Sequence, residues 1–169
     1  MPRLAEINQS TQAEFVAALG AIFEHSPWIA AETWPARPFA SVEALHAALC
    51  ATVERAPLDR KLALIRAHPD LAGKAAIAGE LTAESSREQR AAGLGALSPD
   101  EFARFTQLNA AYRERFGFPF VICAREHTKG SILESFAERL GHTDAQETET
   151  ALAEIAKIAQ LRLDDAVRA

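Results

Sequence analysis

Along most of the chain a polar residue able to cap a helix is followed by apolar residues three or four positions apart, and each such segment closes at Gly or Pro. That spacing puts the apolar side chains on one face of an α-helix, so the chain must bury helix against helix rather than build a sheet. Ser10 or Thr11 opens a segment carrying Phe15, Ala18, Leu19 and Ile22, stopped by Pro27. Ser41 opens another with Val42, Leu45, Leu49 and Val53, ended by Pro57, and a third runs from about Leu58 to Ala67. Thr82 or Ser85 opens a helix that fades near Gly93 and Gly95. Ser98, Pro99 and Glu101 align a cap, a first-turn proline and an N3 acid ahead of Phe102, Phe105, Leu108 and Tyr112, and Gly117 ends that helix. Ser131 with Glu134 and Thr143 with Gln146 read as capping boxes for the last helices.

Three stretches break the pattern. Ser26 to Phe39, with Pro27, Pro35 and Pro38, reads as a connector whose Trp28 and Trp34 join the core. Leu71 to Gly79 is small and alanine-rich, and Phe118 to Ala124 is a short apolar run compatible with a strand or a buried extended segment. The expected fold is all-α: one domain over residues 1–169, a bundle of about seven or eight helices with little or no sheet.

A chain of 169 residues can bury a sufficient core without disulfide or metal staples. The 18 Lys and Arg against 23 Asp and Glu give a formal charge of -5, which argues against a nucleic-acid partner. Cys50 and Cys123 stand in unrelated surroundings, and His25 and His46 have no companions at ligand spacing, so no metal is expected. The first residues lack an apolar leader, and no stretch approaches the roughly 18 apolar residues of a membrane span. The final Val167, Arg168 and Ala169 do not form a peroxisomal signal, which leaves the cytoplasm as the expected location and no membrane partner.

The residue types needed to act on a small anion are present: a proton donor near neutrality, a partner of different charge and a cation. His68, between Ala67 and Pro69, falls at a helix end, where it serves either as an acid or as a cap. Ser85, Glu88 and Gln89 share one helix face and can converge on a ligand, although Ser85 and Glu88 also match a capping box. Arg162 lies on the apolar side of the final helix, with Ile155, Ile158 and Ala159, and is expected to meet a carboxylate of the protein or of a ligand, the alternative being a side chain that snorkels to water. Cys123 reads as a buried, inert cysteine despite nearby Arg125.

Five ordered blocks together carry a resemblance: Phe23-Glu24-His25-Ser26-Pro27-Trp28, Arg66-Ala67-His68-Pro69-Asp70-Leu71-Ala72-Gly73, Ser85-x-x-Glu88-Gln89, Phe116-Gly117-Phe118-Pro119-Phe120-Val121-Ile122 and Ile158-Ala159-x-Leu161-Arg162-Leu163. From about Phe15 to Leu163 the sequence resembles the 2-oxo-4-hydroxy-4-carboxy-5-ureidoimidazoline (OHCU) decarboxylases of urate degradation. The resemblance implies an all-helical, homodimeric, cofactor-independent decarboxylase that forms (S)-allantoin from a ureide. It also implies that His68 is the catalytic acid and Glu88 its partner. Pro69, Ser85, Gln89, Phe120, Val121, Ile122, Cys123, Ala124 and Arg162 would line the substrate. Readings from other classes are a helical interaction module, in which these motifs serve packing and capping, and a lyase or hydrolase acting on a different ureide.

Overall fold

A computed structural model describes residues 1–169, with the side chains of Lys74 and Ala75 outside the described set. In chain order the helices are α1 (Leu4–Gln9), α2 (Gln12–Leu19), α3 (Trp28–Thr33), α4 (Val42–Arg55), α5 (Leu58–Arg66), α6 (Lys74–Ala78), α7 (Ala83–Ala91), α8 (Pro99–Phe116), α9 (Lys129–Arg139) and α10 (Asp144–Ala166). Short 3-10 turns occupy Trp34–Ala36 and Ala124–Glu126. Among the described residues the β-type pairing is an isolated parallel bridge between Arg3 and Arg168, so the all-α expectation holds with more helices than expected.

The additional helices are short. α1 precedes the first segment marked by the sequence pattern, and α3 falls inside the expected connector. Pro27 occupies the N-cap of α3 and Pro35 the first turn of the 3-10 helix, positions where the missing N–H costs nothing. The prolines there start helices rather than break them. Trp28 and Trp34 are half-buried rather than core, each with a guanidinium over its ring, Arg60 at 3.7 Å and Arg37 at 4.0 Å.

One cap position moved, and one open alternative resolved. Thr128, not Ser131, caps α9; Ser131 sits at N3 and accepts the Thr128 N–H in return. Thr82 caps α7 by accepting the Ser85 N–H. The boxes at Ser98 and Thr143 form as expected, and Gly117 closes α8 at φ 73, a left-handed conformation suited to Gly.

The chain divides into two compact units. The first comprises Met1–Ala67 with Ala156–Ala169. Its buried side chains include Phe15, Leu19, Ile29, Leu45, Leu49, Ile65 and Leu163. The Thr33 and Thr52 hydroxyls share a hydrogen bond of 2.7 Å, and His46 Nε2 lies 2.8 Å from the Ala156 carbonyl. Next to the Arg3–Arg168 bridge, Leu4 N–H donates to the Arg168 carbonyl at 2.8 Å and Arg168 N–H to the Pro2 carbonyl at 2.9 Å.

The second unit is His68–Ile155. Its core is aromatic: the Tyr112 ring meets Phe116, Phe118, Phe120 and Phe136, and Phe120 stacks on Phe136 with centroids 3.7 Å apart. Phe118 to Cys123 runs without helix or strand and is buried, with Pro119 inside it, so the expected strand or extended segment is the latter.

Candidate active site

His68 follows Ala67, the C-cap of α5, and is 6% exposed. The chain then turns through Pro69, Asp70, Leu71 and Ala72, and Ala72 adopts φ 52, a left-handed conformation unusual for a residue with a Cβ. Side chains from two helices hold that turn. Gln89 on α7 accepts the Ala72 N–H at 2.9 Å through Oε1 and donates to the Asp70 carbonyl at 3.2 Å through Nε2. On α8, Asn109 Nδ2 donates to the Leu71 carbonyl at 2.8 Å and Arg113 Nε to Asp70 Oδ1 at 2.9 Å. Three consecutive residues after Pro69 are thus fastened to α7 and α8, and their anchoring sets where the chain at His68 begins.

Because Thr82 caps α7, Ser85 and Glu88 lie within the helix and are not its opening box. Ser85 and Gln89 are buried and Glu88 is partly exposed, all on one face at i, i+3 and i+4. α7 packs against the 3-10 turn Ala124–Glu126, which continues the buried segment Phe120 to Cys123. The second unit therefore brings together the turn after His68, the α7 face and the segment Phe120 to Ala124.

The buried segment is itself held at two atoms. Arg139 Nη1 donates to the Val121 carbonyl at 2.7 Å, and Cys123 N–H donates to Glu154 Oε2 at 2.8 Å. The Arg139 guanidinium also lies 4.1 Å from the Phe120 ring centroid and forms a buried ion pair with Glu147, whose carboxylate accepts the Tyr112 hydroxyl and lies 2.9 Å from His142 Nδ1. Burial and the adjacent Glu147 carboxylate push the Tyr112 hydroxyl far above its ordinary pKa, so it remains a donor.

Arg162 belongs to the first unit, where it is buried and paired with Glu24 at 2.9 Å. This is the protein carboxylate that a charge on an apolar helix face demands. A cleft of about 460 Å³ opens on the Ser86–Arg90 side of α7, lined by Leu81, Leu94, Leu97 and Phe102 together with Gln89. Among the described residues no group of three or more His, Cys, Asp or Glu is arranged to hold a metal.

Sequence reasoning passed over Asn109, Arg113, Arg139, Glu147 and Glu154. The signal that singled out Arg162 was present for several of them: Asn109 is enclosed by Phe105, Leu108 and Tyr112 at helical spacing, and Glu147 and Glu154 flank Ala151 on α10. A charge or amide on an apolar stripe marks a buried polar partner.

The fold is all-helical, with a buried histidine just before a turn that Gln89 ties to α7, the helix that also carries Glu88, which are the residue types acid–base chemistry uses. The chain belongs to the OHCU decarboxylase family, whose sequence model matches residues 8–164. It is 45% identical to the 2-oxo-4-hydroxy-4-carboxy-5-ureidoimidazoline decarboxylase of Amia calva, over 98% of this chain and 94% of the relative. With the Mus musculus protein of the same name it shares 44% identity, over 96% and 91% of the respective chains. Among solved structures, an (S)-allantoin synthase superposes with a TM-score of 0.78 at 32% identity, covering 99% of this chain and 54% of that one.

Proposed function

We propose that the chain decarboxylates OHCU stereospecifically to (S)-allantoin, closing the route from urate to allantoin, with His68 as catalytic acid and Glu88 as its partner. The observation that carries this reading is the Gln89 clamp, which ties the α7 face bearing Glu88 to the turn that follows His68. Family membership supplies the substrate class.

The substrate has a carboxylate and a hydroxyl on one ring carbon and a C=N bond beside it. As the carbon–carboxylate bond breaks and carbon dioxide leaves, the electron pair flows into the neighbouring C=N, so the substrate provides its own electron sink. Glu88 accepts the hydroxyl proton as that carbon becomes a carbonyl and returns a proton to the ring nitrogen that received the pair, while protonated His68 delivers a proton to one face of the adjacent carbon. Pro69, Ser85 and the segment Phe120 to Ala124 wall the substrate. Cys123 contributes as wall, its N–H being taken by Glu154. Gln89 acts mainly through the turn it braces, although an amide keeps a second donor and a second lone pair for substrate. Arg162 is assigned to substrate binding on the family resemblance alone.

The test uses freshly generated uricase product, which decays spontaneously to racemic allantoin. Optically active allantoin, formed in proportion to added protein, supports the reading. His68→Asn and Glu88→Gln should each lower the catalysed rate by roughly 100- to 10,000-fold at little cost in stability, and the double variant should lose far less than the product. Near-normal stereospecific turnover in His68→Asn would refute the assignment. Action as a single catalytic domain, a homodimeric state and cytoplasmic residence belong to the same proposal, the latter two checked by light scattering and cell fractionation.

A further inference from the structure

We infer that Arg139 and Glu154 are positioning residues: by holding the peptide groups on either side of Ile122, they turn the Ile122 N–H and C=O toward the amide edge of the ureide. The inference rests on the function proposed above, and it concerns residues that no part of that mechanism uses.

In a trans peptide group the C=O and the N–H point in opposite directions. The group joining Val121 to Ile122 has its oxygen held by Arg139 at 2.7 Å, which aims the Ile122 N–H away from Arg139. The group joining Ile122 to Cys123 has its N–H held by Glu154 at 2.8 Å, which aims the Ile122 C=O away from Glu154. Ile122 thereby keeps a donor and an acceptor that neither Arg139 nor Glu154 takes. A strand edge recognises a partner backbone with the same pair, and the ring N–H beside the 2-oxo carbonyl of the ureide complements it.

The energetics point the same way. Arg139 is 5% exposed and Glu147 is fully buried, and a buried ion pair is a poor source of net stability because desolvation offsets the attraction. An apolar pair would fill the space as well. What it would not do is hold the Val121 oxygen while the Phe120 ring lies against the guanidinium. Glu147 orients Arg139, and the Tyr112 hydroxyl and His142 ring orient Glu147, so the charge pair is fixed from behind.

Steady-state kinetics on freshly generated OHCU, with melting curves, tests this in Arg139→Lys, Glu154→Ala and Glu154→Gln. Glu154→Ala removes the acceptor and should raise KM about tenfold, the loss expected for one misaligned hydrogen bond. Glu154→Gln keeps an oxygen for the Cys123 N–H and should return KM to within about twofold of the parent. Arg139→Lys keeps a charge beside Glu147 but loses the planar fork that also reaches Val121, and should raise KM about tenfold. A purely structural role predicts the opposite split, with lower melting points and fewer active molecules at unchanged KM. That split, or equal KM values in Glu154→Gln and Glu154→Ala, overturns the inference. Should Arg139→Lys fail to fold, the Glu154 pair decides. Absence of stereospecific turnover in the unsubstituted protein would instead sink the proposed function, and that measurement is made first.

Discussion

Gln89→Met replaces the amide that braces the turn after His68 with a side chain of similar length and no hydrogen-bonding capacity. Two backbone groups lose their partners: the Ala72 N–H, on a residue 4% exposed, and the Asp70 carbonyl. A buried donor left unsatisfied costs about 1–3 kcal/mol, and a carbonyl near water costs less, about 0.5–1 kcal/mol, giving roughly 2–4 kcal/mol together. For a chain of this size that corresponds to a melting temperature lower by roughly 4–16 °C. Turnover measured well below the melting range should fall about 10- to 100-fold, because the turn no longer fixes where the chain leaves His68. Gln89→Glu separates the two bonds. Its oxygen still accepts the Ala72 N–H, but its carboxylate faces the Asp70 carbonyl, which raises the folded pKa of the new group above its unfolded value. The variant should therefore be closest to the parent in acid, below the ordinary Glu range, and its deficit should open as pH rises through that raised pKa. Circular dichroism melts from acid to neutral pH, with turnover by optical rotation, measure both. If Gln89→Met melts within about 1 °C of the parent and turns over normally, the brace has no energetic weight and the reasoning fails.

Arg162→Met leaves the Glu24 carboxylate buried without its guanidinium and should cost about 3–5 kcal/mol in thermal or urea unfolding. Arg162→Lys separates roles: raised KM with an unchanged melt supports substrate contact, and a lowered melt with normal KM assigns Arg162 to the Glu24 pair alone. Thr82→Ala should lose about 1 kcal/mol as the cap of α7, whereas Ser85→Ala should show no capping loss, read by melting curves. Glu14, Glu43 and Glu101 are held below their ordinary pKa of 4.5, chiefly by the Thr11 backbone N–H, the Ser41 hydroxyl and the Ser98 backbone N–H respectively. Their contribution is therefore complete above pH 4.5 and lost as pH falls through the lowered values, so a triple Gln variant should flatten the acid side of a stability–pH curve. Burial pushes the Cys50 thiol up to about 11, so iodoacetamide at pH 8 should label it only upon unfolding, read by mass spectrometry.

The long helices were legible because cap, period and stop agree in each: Ser41 through Arg55 and Ser98 through Gly117 differ little between pattern and structure. The short ones were not. α1 and α3, six residues each, are too brief for a period to register, and Pro27 and Pro35 read as breakers until the structure put them at helix starts. The candidate residues on α7 were legible because i, i+3 and i+4 fix a shared face whatever the tertiary packing. Their connection to the His68 turn was not, since Gln89 meets Asp70 and Ala72 across 19 and 17 positions. The same holds for the clasp on the buried segment, where Arg139 lies 18 and Glu154 31 positions from their backbone partners. Periodicity reports which face a residue occupies, and pairing across such distances depends on the packed fold.

The bridge between Arg3 and Arg168 makes the backbone close to a ring, with a seam fastened by two amide hydrogen bonds. A seam can be relocated: a short linker joining residue 169 to residue 1 would span little distance, and new ends could open at an exposed turn such as Gly79–Glu80. The same adjacency suits the fold to tandem architecture, because a neighbouring domain attached at either end enters at one place and leaves the far side of the first unit untouched.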